Sequence, residues 1–258
     1  MQVLKAGCQL FKCYEQINHI DDMIEQKIDF AYSPRFGYLT ACPTNLGTAI
    51  RCSVMLHLPA LKMTGQIEKF FNAAKDMSLA VRGLFGEGTE AASDLYQLSN
   101  QITLGVSEES IVSEFEGNII PEIFEYENAA RKELLSKKVD TLDDKISRAM
   151  ALLQHAHLIS SQEALFLLSH LRLGINMYEH MGATTPALKR LHDLTGQHRD
   201  KSSQVSEKDK GLSIATINRL FMLTLPAHLQ LNYGKPLDTT HRDALRAKII
   251  RSALNQET

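Results

Sequence analysis

Between Ile50 and Leu58 the chain alternates strictly, with Ile50, Cys52, Val54, Leu56 and Leu58 interleaved with Arg51, Ser53, Met55 and His57. Period-two alternation marks a strand with one face on a core, so Arg51, Ser53, Met55 and His57 share the other face. A second strand is predicted over Leu79 to Phe85, where Leu79, Val81, Gly83 and Phe85 face one way and Arg82 the other. An arginine on a sheet face offers a planar fork of donors suited to phosphate oxygens. On the first strand alone, a solvent-facing arginine explains the residue equally well. The second strand runs into Gly86, Glu87 and Gly88, and glycines on both sides of a carboxylate allow a ligand close to the backbone. Two strand arginines and one loop carboxylate form a constellation able to serve phosphoryl transfer.

Around these strands the first half mixes elements. Helical periodicity is read over Gln16 to Lys27 and over the stretch with Ile67, Phe70, Phe71 and Ala74 on one face; Tyr38 to Cys42 and Tyr96 to Ser99 read as short strands. Ser107 is placed to cap a long helix carrying Ile111, Val112, Phe115 and Ile119, which Pro121 is expected to kink. From Thr141 onward the pattern is helical, with Thr141 before Asp144 and Ser160 before Glu163 as capping-box starts and a last helix from about Thr239 to Leu254. Gln197 to Lys210 has almost no apolar residues and reads as a surface connection. No repeat at solenoid periods is found. The fold class is α+β, with strands before Gly105 and helices after.

With 258 residues, 44% of them hydrophobic, the chain can bury a sizeable core. A formal charge of −2 gives no broad attraction for nucleic acid or anionic lipid, so phosphate recognition has to be local. Cys8, Cys13, Cys42 and Cys52 lack zinc-site spacing, and His155, His157, His170, His180, His192 and His198 form no convincing ligand set, so no metal site is assigned. The N-terminus carries no signal pattern and no apolar run reaches spanning length, which reads as a cytoplasmic protein without membrane or nucleic-acid partners.

Four spaced motifs, CPTNLGT at Cys42 to Thr48, RCSVM at Arg51 to Met55, RGLFGE at Arg82 to Glu87 and SNQITLG at Ser99 to Gly105, resemble the catalytic domain of the phosphagen (ATP:guanido) kinases. PAHLQ at Pro226 to Gln230 and RDALRA at Arg242 to Ala247 resemble the protein-directed arginine kinases of bacteria within that family. The resemblance implies an antiparallel sheet flanked by helices over residues 1–138 and a helical C-terminal region over 139–258. It further implies ATP and Mg2+ as cofactors, phosphoryl transfer to arginine side chains of proteins, an activator protein, protein-degradation machinery as partner, and a homodimer.

It also assigns roles. Arg51 and Arg82 cradle the nucleotide phosphates, beside Cys52, Ser53, Val54 and Met55 on one strand and Gly83, Leu84, Phe85, Gly86 and Glu87 after the other. Glu87 holds the substrate guanidinium and accepts its proton as general base; its plain alternative is an ordinary loop carboxylate, which is how Glu90 is read. Cys42 takes the place of the family's reactive cysteine, where a lowered pKa gives a thiolate against the guanidinium, although composition alone favours an inert buried cysteine. His57 shares the arginine face and more simply hydrogen-bonds in place. Arg242 and Arg246, four apart on one helix face, form with Asp243 and Ala247 a regulatory phosphoarginine pocket; a solvated basic face is the alternative.

One departure stands out: the family's acidic Asn-Glu-Glu-Asp-His loop and a Ser-x-Arg segment before it are not found ahead of MQVLKAGCQL. One guanidinium-binding carboxylate and some phosphate donors are then missing, so weak or no kinase activity is expected of the isolated chain. Two other functions compete: a non-catalytic phosphoarginine-binding module, and a small-molecule phosphagen kinase.

Overall fold

The computed structural model describes residues 1–83, 93–182, 184–196, 212–234 and 236–255. They form two compact units. The first holds the residues up to 83 with Leu95–Ala129, and the second holds Ser93, Asp94 and those from Ala130 onward.

The first unit opens with helix α1 (Leu10–Glu25). It begins six residues before the predicted Gln16, because the Phe11 amide of its first turn donates to Glu116 Oε2 at 3.0 Å, a long-range cap invisible in local sequence. A small antiparallel hairpin follows, β1 (Tyr32–Ser33) with β2 (Gly37–Tyr38). The predicted strand Tyr38 to Cys42 shrinks to its first residue. Beyond Tyr38 the chain turns away, and Pro43–Asn45 wind into a 3₁₀ turn.

The main sheet has three antiparallel strands in the order β3 (Ser53–His57), β5 (Leu95–Asn100), β4 (Leu79–Gly83). Between β3 and β4 lie α2 (Pro59–Thr64) and α3 (Ile67–Asp76). Strand β3 is shorter than the Ile50 to Leu58 alternation predicts. Ahead of it the Asn100 side chain replaces a strand neighbour, accepting from Cys52 N at 2.8 Å and donating to Ile50 O at 3.2 Å. Register aligns Met55, Gln97 and Arg82 in one row and Ser53, Ser99 and Ala80 in the next. Cross-strand neighbours point the same way, so these six share one face. The opposite face carries buried Leu56, Leu79, Tyr96 and Leu98. Helix α2 is capped from within the unit, where buried Glu127 accepts the amides of Ala60 and Leu61 at 3.1 and 3.0 Å.

Ser107 caps α4 (Glu108–Glu114) through the Ser110 amide, as expected. A π turn over Phe115–Ile119 then leads into α5 (Ile120–Lys137). Pro121 explains the turn: it has no amide to donate and its ring crowds the preceding turn, and a widened π turn relieves both.

The second unit is helical: α6 (Val139–His155), α7 (Ser161–Met181), α8 (Pro186–Gly196), α9 (Ile214–Leu223), α10 (Pro226–Tyr233) and α11 (Thr239–Asn255). Helix α7 lies at its centre, packed on α6, α8 and α9, with Leu168, Leu171, Leu173, Ile175 and Met177 fully buried. Ser160 caps α7 as predicted, whereas Thr141 lies inside α6, which starts at Val139. The predicted Gln197 to Lys210 connection lies outside the described residues. No described helix is long and apolar enough to cross a membrane.

Candidate active site

The polar sheet face is held together by its own side chains. Arg51, exposed on the lead into β3, donates through Nη2 to Ser99 Oγ at 2.9 Å, and Ser99 is fully buried on the central strand. Gln97 Nε2 donates to Ser53 Oγ at 3.0 Å. Arg82, half-buried on β4, stands in the row of Gln97 and Met55. The two arginines therefore flank one central strand on one face, about 10 Å apart across the sheet and offset by about four residues, roughly 13 Å, along it. Such a pair offers two fixed positive forks to an extended polyanion.

Cys52 and Val54 belong to the opposite alternation, and the Cys52 side chain is buried. Cys52 turns both its amide and its carbonyl toward Asn100. By alternation, the backbone groups of Ser53 and Met55 point to the outer edge of β3. What RCSVM can offer a ligand is thus the Arg51 and Ser53 side chains and the backbone of Ser53 and Met55. His57 lies half-buried on the same face. Gly83 ends β4 opposite Tyr96. Leu84, Phe85, Gly86, Glu87 and Glu90 lie outside the described residues.

Cys42 sits exposed at the start of the 3₁₀ turn, its Sγ 2.9 Å from Thr44 Oγ1. The loop around it is tied to the segment after β5. The Thr48 amide donates to Thr103 O at 2.9 Å, and the Thr103 hydroxyl donates to Leu46 O at 2.8 Å and lies 3.2 Å from Thr44 O. The Thr44 hydroxyl, then its amide, hold the Cys42 thiol below its ordinary pKa. Burial pushes Cys52 up to about 12, and burial with nearby Glu116 raises exposed Cys8. A lowered pKa means the thiolate accumulates at lower pH. Iodoacetamide should therefore modify Cys42 at a pH where Cys8 is still slow and Cys52 inert. Thr44→Val should shift the Cys42 profile to higher pH, as read by mass spectrometry of the alkylated peptides; an unshifted profile rules the Thr44 contact out as the cause.

In the second unit the two RDALRA arginines differ. Arg242 is half-buried near the start of α11, donating to Leu237 O at 2.7 Å and Thr239 Oγ1 at 3.2 Å. Arg246 is 1% exposed and donates to Thr224 O at 2.8 Å, Ile159 O at 2.7 Å and Asp243 Oδ1 at 2.6 Å. Asp243 is half-buried and Ala247 fully buried. Among the described residues no group of three or more His, Cys, Asp or Glu could hold a metal ion.

Asn100, Thr103, Gln97 and Glu127 are the residues that sequence reasoning left without a role. Asn100 and Thr103 lie inside SNQITLG, whose polar residues between apolar ones carried the only available signal. Gln97 and Glu127 act across many residues, and nothing local marks them.

Comparison with known proteins agrees with this architecture. The model of the ATP:guanido phosphotransferase C-terminal catalytic domain matches residues 1–130, and that of the protein-arginine kinase McsB C-terminal domain matches 139–191 and 210–258. A protein-arginine kinase of Halothermothrix orenii is 40% identical over 255 residues, covering 99% of this chain and 64% of its own length. One of Caldanaerobacter subterraneus is 39% identical over 257 residues, covering 100% of this chain and 67% of its own. This chain thus spans about two thirds of the length of these curated relatives. Among solved structures, a duplicated taurocyamine kinase of Schistosoma mansoni aligns with TM-score 0.40 at 31% identity, over 46% of this chain and 16% of that one. A lombricine kinase aligns with TM-score 0.38 at 32% identity, over 45% of this chain and 31% of that one. With the catalytic-domain model matching half of its length, the chain belongs to the ATP:guanido phosphotransferase family.

Proposed function

We propose that this chain carries the nucleotide-binding and phosphoryl-transfer face of an ATP-dependent protein arginine kinase, with a regulatory helical region after it. The observation that carries the reading is the pair Arg51 and Arg82, flanking β5 on one polar face inside the family's catalytic domain. The ~40% identity to relatives called protein-arginine kinase, extending through the second unit, favours protein substrates over free guanidino compounds.

Phosphoryl transfer is mostly positioning and charge stabilisation. Arg51 and Arg82 would bind phosphate oxygens, with Arg51 aimed by Ser99 and the β3 edge amides adding neutral donors. Glu87 would orient the substrate guanidinium and take its proton, and the Cys42 thiolate would stand against the same cation. Mg2+ bound with the nucleotide would supply charge neutralisation on the phosphates. Among the described residues no three His, Cys, Asp or Glu side chains come together as a ligand set for the ion. Arg242 with Asp243, Arg246 and Ala247 is the proposed phosphoarginine pocket. A cytoplasmic setting, an activator, degradation machinery and a homodimer belong to the same reading.

The test is transfer of label from γ-labelled ATP with Mg2+ to an arginine-bearing protein, giving the acid-labile, base-stable product expected of a phosphorus–nitrogen bond. Arg51→Ala and Arg82→Ala should each weaken ATP binding about ten- to hundredfold, as for loss of one charge-assisted contact. Glu87→Gln should cut whatever transfer the wild-type chain shows by about two to four orders of magnitude, well beyond any change in ATP binding. Label on free arginine and none on protein would sink the protein-directed reading. Unchanged ATP affinity in both arginine variants would sink the site.

A further inference from the structure

Beside the Cys42 loop the first unit holds an open cleft of about 440 Å³ that the phosphoryl-transfer chemistry does not use. Gly47 and Thr48, the last two residues of CPTNLGT, form part of its lining, so it adjoins the loop bearing the thiol. Its aromatic residues are Tyr14, Tyr32, Phe36 and Tyr38, and its acids are Glu108 and Glu109 at the start of α4. Tyr32 and Tyr38 pack edge to face with centroids 5.4 Å apart, which braces both rings. Tyr32 is 60% exposed and Phe36 41% exposed, an unusual outlay of aromatic surface beside two carboxylates.

The acids are short of cations. Among the described residues neither Glu108 nor Glu109 forms an ion pair, although Glu108 is half-buried and lines the cleft together with Tyr14. Burial pushes the Glu108 carboxyl up, with Asp21 and Glu109 adding to the rise against the pull of Tyr14. The negative field extends further: burial, then Asp21, Glu25 and Glu108, raise Tyr38, and burial with Glu108, Glu109 and Asp22 raises Tyr14. The one cation among the described lining residues, Arg35, places its guanidinium over the Phe36 ring at 5.0 Å from the centroid. A guanidinium on an aromatic face is therefore an arrangement the cleft already contains, and half-buried Glu108 with exposed Glu109 offers carboxylates to a second.

We propose that this cleft binds a positively charged side chain, arginine above lysine, of a polypeptide segment flanking the residue presented to the sheet face. Arginine is favoured because its flat guanidinium stacks on tyrosine while forking to a carboxylate. That the polypeptide is a substrate rests on the kinase reading; the cation site itself does not. The cleft then sets a substrate class, namely proteins with clustered basic residues, and contributes binding without chemistry.

The experiment titrates the whole chain with a short fluorescein-labelled peptide containing two arginines, and with its twin in which neutral citrulline replaces both. The arginine peptide should bind at least about tenfold more tightly. Glu108→Gln combined with Glu109→Gln should remove about that factor, Tyr32→Ala should remove roughly threefold, and an equal charge change at Glu68 and Glu125 should remove none. If the double variant fails to fold by circular dichroism, exposed Glu109→Gln alone should still cost a few-fold. Equal affinity for the two peptides, or an equal loss in the Glu68 and Glu125 control, overturns the proposal. Charge-dependent binding at the cleft with ATP affinity unchanged in Arg51→Ala and Arg82→Ala would defeat the kinase reading and leave the cleft standing. Transfer with KM for a basic protein unchanged in the double variant would do the reverse.

Discussion

Replacing Gly47 with alanine should destabilise the sheet-bearing unit by about 4 kcal/mol, because two independent penalties fall on one atom. The backbone of Gly47 has φ +110, a conformation that costs a residue with a Cβ on the order of 1–3 kcal/mol. The added Cβ would also stand 2.1 Å from Thr103 O, and the obstruction is backbone that no rotamer change can move. Relief requires parting the Cys42 loop from the segment after β5, which breaks the Thr48 amide to Thr103 O bond and loosens the Thr103 hydroxyl from Leu46 O. Gly105→Ala is the control: its φ is +79, yet its Cβ would meet nothing within 4 Å, so only the conformational cost of about 1 kcal/mol applies. Urea unfolding of the two variants measures the difference. The loss should carry a chemical signature too, since a freed loop no longer fixes Thr44 against Cys42, and Cys42 alkylation should lose its advantage at low pH. A Gly47→Ala midpoint no lower than that of Gly105→Ala would show that the loop yields without cost.

Gly47 also shows what the sequence discloses and what it withholds. CPTNLGT announces a turn, and the alternations around Arg51 and Arg82 announce two strands with a polar face; the sheet bears both out. These signals are local, because strand periodicity and turn chemistry are written into neighbouring residues. The strand order β3-β5-β4 is not local, and neither is the position of Arg51 over Ser99, 48 residues away. Asn100 standing in for a strand, Glu127 capping α2 and Glu116 capping α1 all depend on partners far along the chain. Propensity arguments failed at Thr141 for the opposite reason: a capping pattern is only a local preference, and packing of Leu142, Ile146, Ala149 and Leu153 lets α6 begin earlier, at Val139.

Arg246→Met should cost about 3–5 kcal/mol, the range for removing one partner from a buried charged network. Methionine keeps much of the apolar stem but no donor, so Thr224 O, Ile159 O and the Asp243 carboxylate all lose a charged partner inside the second unit. Arg246→Lys should recover only part of the loss, since one ammonium cannot reproduce a fork that spans two backbone carbonyls and a carboxylate. Arg242→Ala should fall within about 1 kcal/mol, because that guanidinium is part-exposed and its bonds are to its own helix entrance. Spacing of four residues puts both arginines on one helix face, yet α11 rests on α6, α7 and α10, and Arg246 lies where the helix is covered. This separates the two residues as tests of the proposed phosphoarginine pocket. A phosphate reaching Arg246 must compete with two carbonyls that hold the α6–α7 and α9–α10 connections, so loss of binding in Arg246→Met would be confounded with loss of the fold. Arg242→Ala removes a reachable fork and spares the fold, so phosphoarginine-peptide binding that survives it would place that ligand elsewhere. An Arg246→Met urea midpoint equal to wild type would show that the buried network contributes nothing to the helical unit.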